Sequence, residues 1–356
     1  MGRPTPYGSS HHPVGPIPGL FPPSTLRGNT KAVPTGAFGP RLTALVAYMT
    51  GLLRLPKRPV QWVLEDVLGV KVSLGSVSKQ EARVSEALSA PVEEARQYIR
   101  QQQGTVHLDD TGWHQGHERK ALWAAATGLV AVFLIAEGRR EEVAQAILGK
   151  DFGGRVVADR AKAHWWLGVE RWQLCWAPPQ RNFQSWVDRR GGGAEKVGKQ
   201  LLEYTATLFR LLRRVRDGTL QRRTMPRRMD QVRQQVRVLL ERARVGADEK
   251  AAHTARELLH LWKAPWTFMH HEDVPVTNNH DERLLRHAVR MREVSFGTKS
   301  PEGSRFIERI LTTVTTLRLR DRPILAFLTQ AVEARLREER PPSLLPSPAP
   351  VLPTPV

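Results

Sequence analysis

Between residues 105 and 177 the chain passes through five short apolar runs with the residue types of strands: TVHLDD, KALWAAAT, VAVFLIAE, GRVVADR and RWQLCWA. Turn-type residues, among them Gly112, Gly116 and Gly128, sit between the first three. The last two alternate with helix-like stretches, EEVAQAIL and AKAHWWL. Strands joined by short turns pair antiparallel, whereas strands joined through helices return in parallel. A chain that does both in succession builds one mixed sheet with helices packed on it, an α/β fold.

The flanks read as helices. RLTALVAYMTGLLRL has apolar residues at helical spacing. RPVQWVLEDVLGV offers Pro59 for a first turn and Gly69 for a stop, and SVSKQEARVSEALSAPVEEARQYI opens at Ser76. Three short helices with a glycine turn fit a helix-turn-helix and a plain bundle equally well. From 183 to about 270 the strand signal vanishes and long helices are expected, broken near Gly191–Gly193, Gly218, Pro226 and Gly246. The reading is a Pro/Gly-rich tail (1–40) and an N-terminal helical domain (41–100). The first part of a sheet-bearing core (101–183), a helical insertion (184–270), the final part of the core (271–339) and a Pro-rich tail (340–356) follow.

Lys and Arg number 54 against 35 acids, a net charge of +19, which points to a polyanionic partner. The stretch 210–245 alone holds 12 Arg against Asp217, Asp230 and Glu241, and reads as a DNA-backbone surface. Cys175 is the only cysteine, so neither an internal disulfide nor a cysteine-rich zinc site is available; a small buried group is expected there. Trp165, Trp166, Trp172 and Trp176 read mostly as core, an exposed one being able to stack on a displaced base. No apolar run approaches the ~18 residues of a membrane span, and the N-terminal residues lack the apolar middle of a signal peptide. The expectation is a bacterial cytoplasmic protein with no membrane partner.

Three acids carry the chemical reading. Asp109 ends the first strand (HLDDTGW), Asp159 ends the fourth (VVADR), and Glu282 lies early in a late helix (TNNHDERLLR). Each has a plain explanation alone: Asp109 and Asp110 precede a Thr-Gly turn, Asp159 caps a helix, and Glu282 completes a capping box with Asn279. Together they form an oxygen-ligand set suited to divalent cations, and two such ions stabilise the attacking and leaving oxygens of phosphodiester cleavage. His107 shares a strand face with Asp109. Arg283, Arg286, Arg290 and Arg292 on the Glu282 helix, with Lys299 and Arg305 past the Ser-Phe-Gly-Thr turn, read as a track for the DNA backbone.

DDTGW, VVADRAKAHWWL, RWQLCWA and VTNNHDERLLRHAVRMREVSFGTKSPEGSRFIERILT, with FGPRLTALVAYMTGLLRLPKRPVQWVLEDVLGVKVSLGSVSKQEARV upstream, resemble the transposase of the insertion sequence 66 family over roughly 38–335. The resemblance implies a DDE transposase with an RNase H-like core and a helical insertion before the final Glu. It implies Asp109, Asp159 and Glu282 as the metal-binding triad, Mg²⁺ or Mn²⁺ as the only cofactor, and transposon ends and target DNA as partners. A dimer or larger active complex and accessory transposition proteins are expected with it. The chain departs from the family pattern at Asp110, where Glu is usual, leaving open whether Asp109 or Asp110 is the first ligand. It departs again at Pro178, where His is usual, and at Glu293, where a basic residue is usual. Longer family members carry a cysteine-rich segment and a coiled coil that this sequence lacks. A second expectation is therefore a catalytically inactive, DNA-binding remnant that regulates transposition. A third is a nuclease that cuts without joining.

Overall fold

The computed structural model describes residues 38–189 and 193–345, with the backbone alone at 279–282 and 294–295. Residues 1–37 of the expected tail 1–40, and residues 346–356, lie outside the described residues. Five strands form one sheet in the order β3-β2-β1-β4-β5: β1 (Thr105–Gln115), β2 (Glu118–Ala126), β3 (Ala131–Ala136), β4 (Arg155–Ala158) and β5 (Trp172–Leu174). β1 pairs antiparallel with β2, and β2 with β3, while β1–β4 and β4–β5 are parallel. The three turn-linked strands and the two helix-side strands thus sort as the pattern requires.

Two local expectations change. β1 does not stop at Asp110 but runs to Gln115, with the turn at Gly116 (φ 59°). Trp113 explains the extension: it is buried against Leu285, Ala288 and Met291 of a late helix, which holds the strand extended past Gly112. AKAHWWL forms only a 3-10 turn at Lys162–His164, because Asp159 Oδ1 accepts the Ala161 N–H at its start and Gly168 interrupts the run.

Helices cover the sheet. The first four are α1 (Pro40–Ala47, continued by a π turn to Leu52), α2 (Lys57–Trp62, continued to Val67), α3 (Leu74–Ala87) and α4 (Ser89–Arg100). α3 is capped by Ser73, whose Oγ accepts the Ser76 N–H at 3.1 Å, three residues before the expected start. α5 (Glu141–Leu148) joins β3 to β4. After β5 come α6 (Ala177–Asp188), α7 (Gly193–Arg216), α8 (Met225–Arg244) and α9 (Glu249–His260). α6 begins at Ala177, with Pro178 and Pro179 seated in its first turn, where a missing N–H costs nothing. α10 (Asn279–Ser295), α11 (Pro301–Leu319) and α12 (Ile324–Leu336) complete the described chain. None of the described helices is long and apolar enough to cross a membrane.

Both sheet edges are covered by side chains. On β3, alternate N–H groups point outward. The N–H of Ile135 donates to Glu308 (2.8 Å), that of Phe133 to Thr312 (3.0 Å) and that of Ala131 to Thr316 (3.1 Å), acceptors four residues apart on α11. On β5, Thr267 Oγ1 donates to Trp172 O (2.7 Å), and Gln173 Oε1 accepts the Phe268 N–H (2.8 Å). The start of the expected C-terminal tail is docked as well. Leu344 is buried, and Glu94 accepts from Ser343 Oγ at 2.7 Å.

Candidate active site

The β1–β4 ladder ends at His107↔Val157. Carrying that register two residues further sets Asp109 beside Asp159, the first residue past β4, on strands ~4.8 Å apart. Asp109 is therefore not at the end of its own strand, as the sequence suggested. It stands where its parallel neighbour ends.

Asp109 and Asp110 face opposite sides of the sheet. Asp109 pairs directly with Ala124, whose side chain packs with Trp113 and α10. Asp110 pairs with Trp123 in the larger core on the other side. Asp109 Oδ1 accepts the Asp110 N–H at 2.8 Å. The Asp110 side chain is 9% exposed and is joined to Arg139. Burial pushes its pKa up, the Arg139 charge opposes that, and the nearby charge of Asp159 raises it again; the net result lies above the ordinary carboxylate value.

Asp159 has the opposite balance. Partial burial raises its pKa, but the hydrogen bond from His164, the Ala161 N–H and the charges of His164 and Arg139 outweigh it and leave it below the ordinary value. His164 Nε2 lies 3.3 Å from Asp159 Oδ1. The imidazole is buried, with its ring edge-on to Trp123 and Trp172 at 6.0 Å. Sequence reasoning passed over His164. Its only signal was a histidine five residues beyond a strand-end Asp, inside a tryptophan-rich run.

Asn278 ties the start of α10 to the sheet. It is 3% exposed, and its N–H donates to Cys175 Sγ (3.1 Å). Its Nδ2 donates to Leu108 O (3.1 Å), and His107 Nδ1 lies 2.7 Å from its Oδ1. With Nδ2 committed as donor, Oδ1 accepts and His107 carries its proton on Nδ1. Asn278 is the N-cap residue, yet its side chain makes no cap bond, so the amide serves the sheet instead. Cys175 is small and buried, as expected, and also accepts a hydrogen bond. Glu282 falls in the first turn of α10; its side chain, like that of Asn279, lies outside the described residues.

The cations separate into two groups. Arg283, Arg286 and Arg290 are exposed on α10, and Lys299 is exposed beyond it. Arg305 is exposed and paired with Glu302 at 2.8 Å. Arg292 is half-buried and donates to Thr111 Oγ1 (3.3 Å) and to Gly112 O, bracing β1.

Carboxylate oxygens at two adjacent strands, one of them held ionised, are donors that suit Mg²⁺ or Mn²⁺. Among the described residues no three His, Cys, Asp or Glu side chains gather into a metal-binding group, and the Glu282 side chain is not among those described.

Residues 35–305 match the family model described as Transposase IS66 family. No curated protein matches the chain.

Proposed function

Because the chain belongs to the IS66 family of transposases, we propose that it cleaves DNA at transposon ends and joins them to a target, from an active site of Asp109, Asp159 and Glu282. The observation that carries this reading is the parallel β1–β4 register, whose continuation past His107 and Val157 supports Asp109 lying beside Asp159, with α10 anchored by Asn278 against Leu108, the residue before Asp109. The sheet order, three antiparallel strands followed by two parallel ones, supports an RNase H-like core. Asp109, Asp159 and Glu282 would hold Mg²⁺ or Mn²⁺. Such ions stabilise charge on the attacking and leaving oxygens of phosphoryl transfer.

The chain's own residues do the rest. Arg283, Arg286 and Arg290 offer exposed guanidinium groups to backbone phosphates next to the carboxylates. His164 orients Asp159 from a buried position and favours its ionised form. Arg292 and Asn278 fix β1 and α10 to one another, so the ligand positions are set before DNA arrives. Freed 3′-hydroxyl ends become the nucleophiles for joining, and handling two ends requires at least a dimer.

The test uses purified protein, DNA carrying the element's ends, and Mg²⁺ or Mn²⁺. Wild type is expected to nick and join; Asp159→Asn is expected to do neither while still binding the same DNA. Normal joining by Asp159→Asn overturns the assignment. Binding without nicking by wild type identifies the inactive remnant, and nicking without joining identifies a nuclease.

A further inference from the structure

The Ser-Phe-Gly-Thr turn after α10 carries an aromatic ring in water on a firm mount. Phe296 is 83% exposed and adopts the left-handed conformation at φ 57°. Its N–H closes α10 on Arg292 O at 2.7 Å. Gly or Asn fills such a helix-ending position with less strain, and an exposed Phe gains no packing there. The residues after it are fixed to the β1–β2 hairpin. Gly297 has φ 102°, and a Cβ there would lie 2.2 Å from His114 O. The Thr298 N–H donates to His114 O (2.9 Å), the Gly116 N–H to Thr298 O (2.7 Å), and Trp113 Nε1 to Thr298 Oγ1 (3.2 Å). The ring is exposed while its backbone is held.

Phe296 lines a cleft of ≈ 900 Å³ between that hairpin and the end of α10. Arg119, Lys120, Arg139 and Arg292 line the cleft beside one acid, Glu293. Lys120 is engaged by Glu118 and Glu137, Arg139 by Asp110, and Arg292 by the β1 backbone. Arg119 is exposed and has no ion-pair partner among the described residues. Gly112, also in the lining, is three residues from Asp109, about 10 Å along a strand. The cleft therefore opens within a nucleotide or two of the carboxylates, and Arg139 spans from its wall to Asp110.

We propose that this cleft receives an unpaired nucleotide of the strand being cut, its base stacked on Phe296 and its phosphate on Arg119. The proposal rests on the transposase reading and deepens it. Every base has a π-face, so stacking on an aromatic ring tolerates any sequence. A cation lining the same cleft as the ring selects a ligand that is flat and apolar on one side and anionic on the other. A rigid mount limits the ordering entropy lost when the base lands.

The experiment measures full-length protein, without metal, on two probes by fluorescence anisotropy. One is a blunt duplex; the other is the same duplex with an unpaired 3′ tail carrying 2-aminopurine at its first position. Wild type is expected to favour the tailed probe and to quench the 2-aminopurine. Phe296→Ala should lose about tenfold in affinity for the tailed probe, keep its affinity for the blunt duplex, and leave 2-aminopurine bright. Phe296→Tyr should behave as wild type, and Arg119→Ala should weaken the tailed probe with quenching retained. Unchanged quenching and affinity in Phe296→Ala overturn the proposal, as does an equal loss on both probes. A change of oligomeric state in Phe296→Ala, read by light scattering with tail binding intact, also overturns it and assigns the ring to a contact between copies. Wild type that binds neither probe overturns the transposase reading itself, a result distinct from failure of the Phe296 arm alone.

Discussion

The two faces of β1 are built for different work, although Asp109 and Asp110 are consecutive. On the Asp109 face, Asn278, Trp113 and Arg292 connect the strand to α10 through hydrogen bonds and apolar packing. On the Asp110 face, Arg139 pairs with Asp110, and the charges of Asp159 and His164 reach its carboxylate. The α10 face sets position; the Asp110 face sets ionisation. The proposed site takes Asp109 as the first ligand and Asp110 as its electrostatic companion. It also accounts for how Asp can stand at 110 where the family pattern has Glu: the position meets an arginine, and both acids are anionic.

The sharpest way to break this comparison is cleavage by the two single variants. Asp109→Asn is expected to lose about 10³-fold in rate, measured as Mg²⁺-dependent nicking, whereas Asp110→Asn should lose no more than about tenfold. Equal losses would erase the distinction between the faces.

Stability separates the faces next. Asn278→Ala removes the buried bonds to Leu108 O and to the His107 ring, and should cost about 2 kcal/mol in urea unfolding. Arg139→Gln removes an arginine that is more than half exposed, and should cost under about 1 kcal/mol. Reversal of that order would mean that charge, not packing, holds β1 in place.

The smallest effect is a difference of sign with pH, read in chelator. Asp159 has a lowered folded pKa, so its contribution is present above the unfolded value of about 3.9 and is lost as pH falls through the folded one. Asp110 has a raised folded pKa, so its contribution is present below about 3.9 and is lost as pH rises through the folded one. Relative to wild type, Asp159→Asn should therefore be most destabilised at neutral pH. Asp110→Asn should gain on wild type as pH rises from 3 to 7, wherever its own hydrogen bonds leave the baseline. Parallel pH profiles would contradict the opposed environments.

The sheet was legible because its signals are local: alternation, glycine turns and helix-length gaps lie within a few residues of each strand. The breaks of the insertion at Gly218, Pro226 and Gly246 were legible for the same reason. What escaped depends on partners far along the chain. The extension of β1 needs Trp113 to meet α10, more than 170 residues later. Asn278 stands at a helix start, and a cap would need only its own helix, whereas its actual partners are His107 and Leu108. Arg292 counted as one more surface cation until its bond to Gly112 O became visible. His164 carries no spacing rule, since its position against Asp159 comes from a turn that replaced an expected helix.

The acceptors that α11 places along β3 have a temporal side. Ala131–Ala136 leaves the ribosome some 165 residues ahead of Pro301–Leu319, on the order of 10–30 s at typical elongation speeds. Throughout that interval the outer rim of the nascent sheet is adhesive, with three amide groups unclaimed. α11 thus acts as a built-in chaperone for β3, and a premature stop before α11 would release a product prone to stick to its own kind.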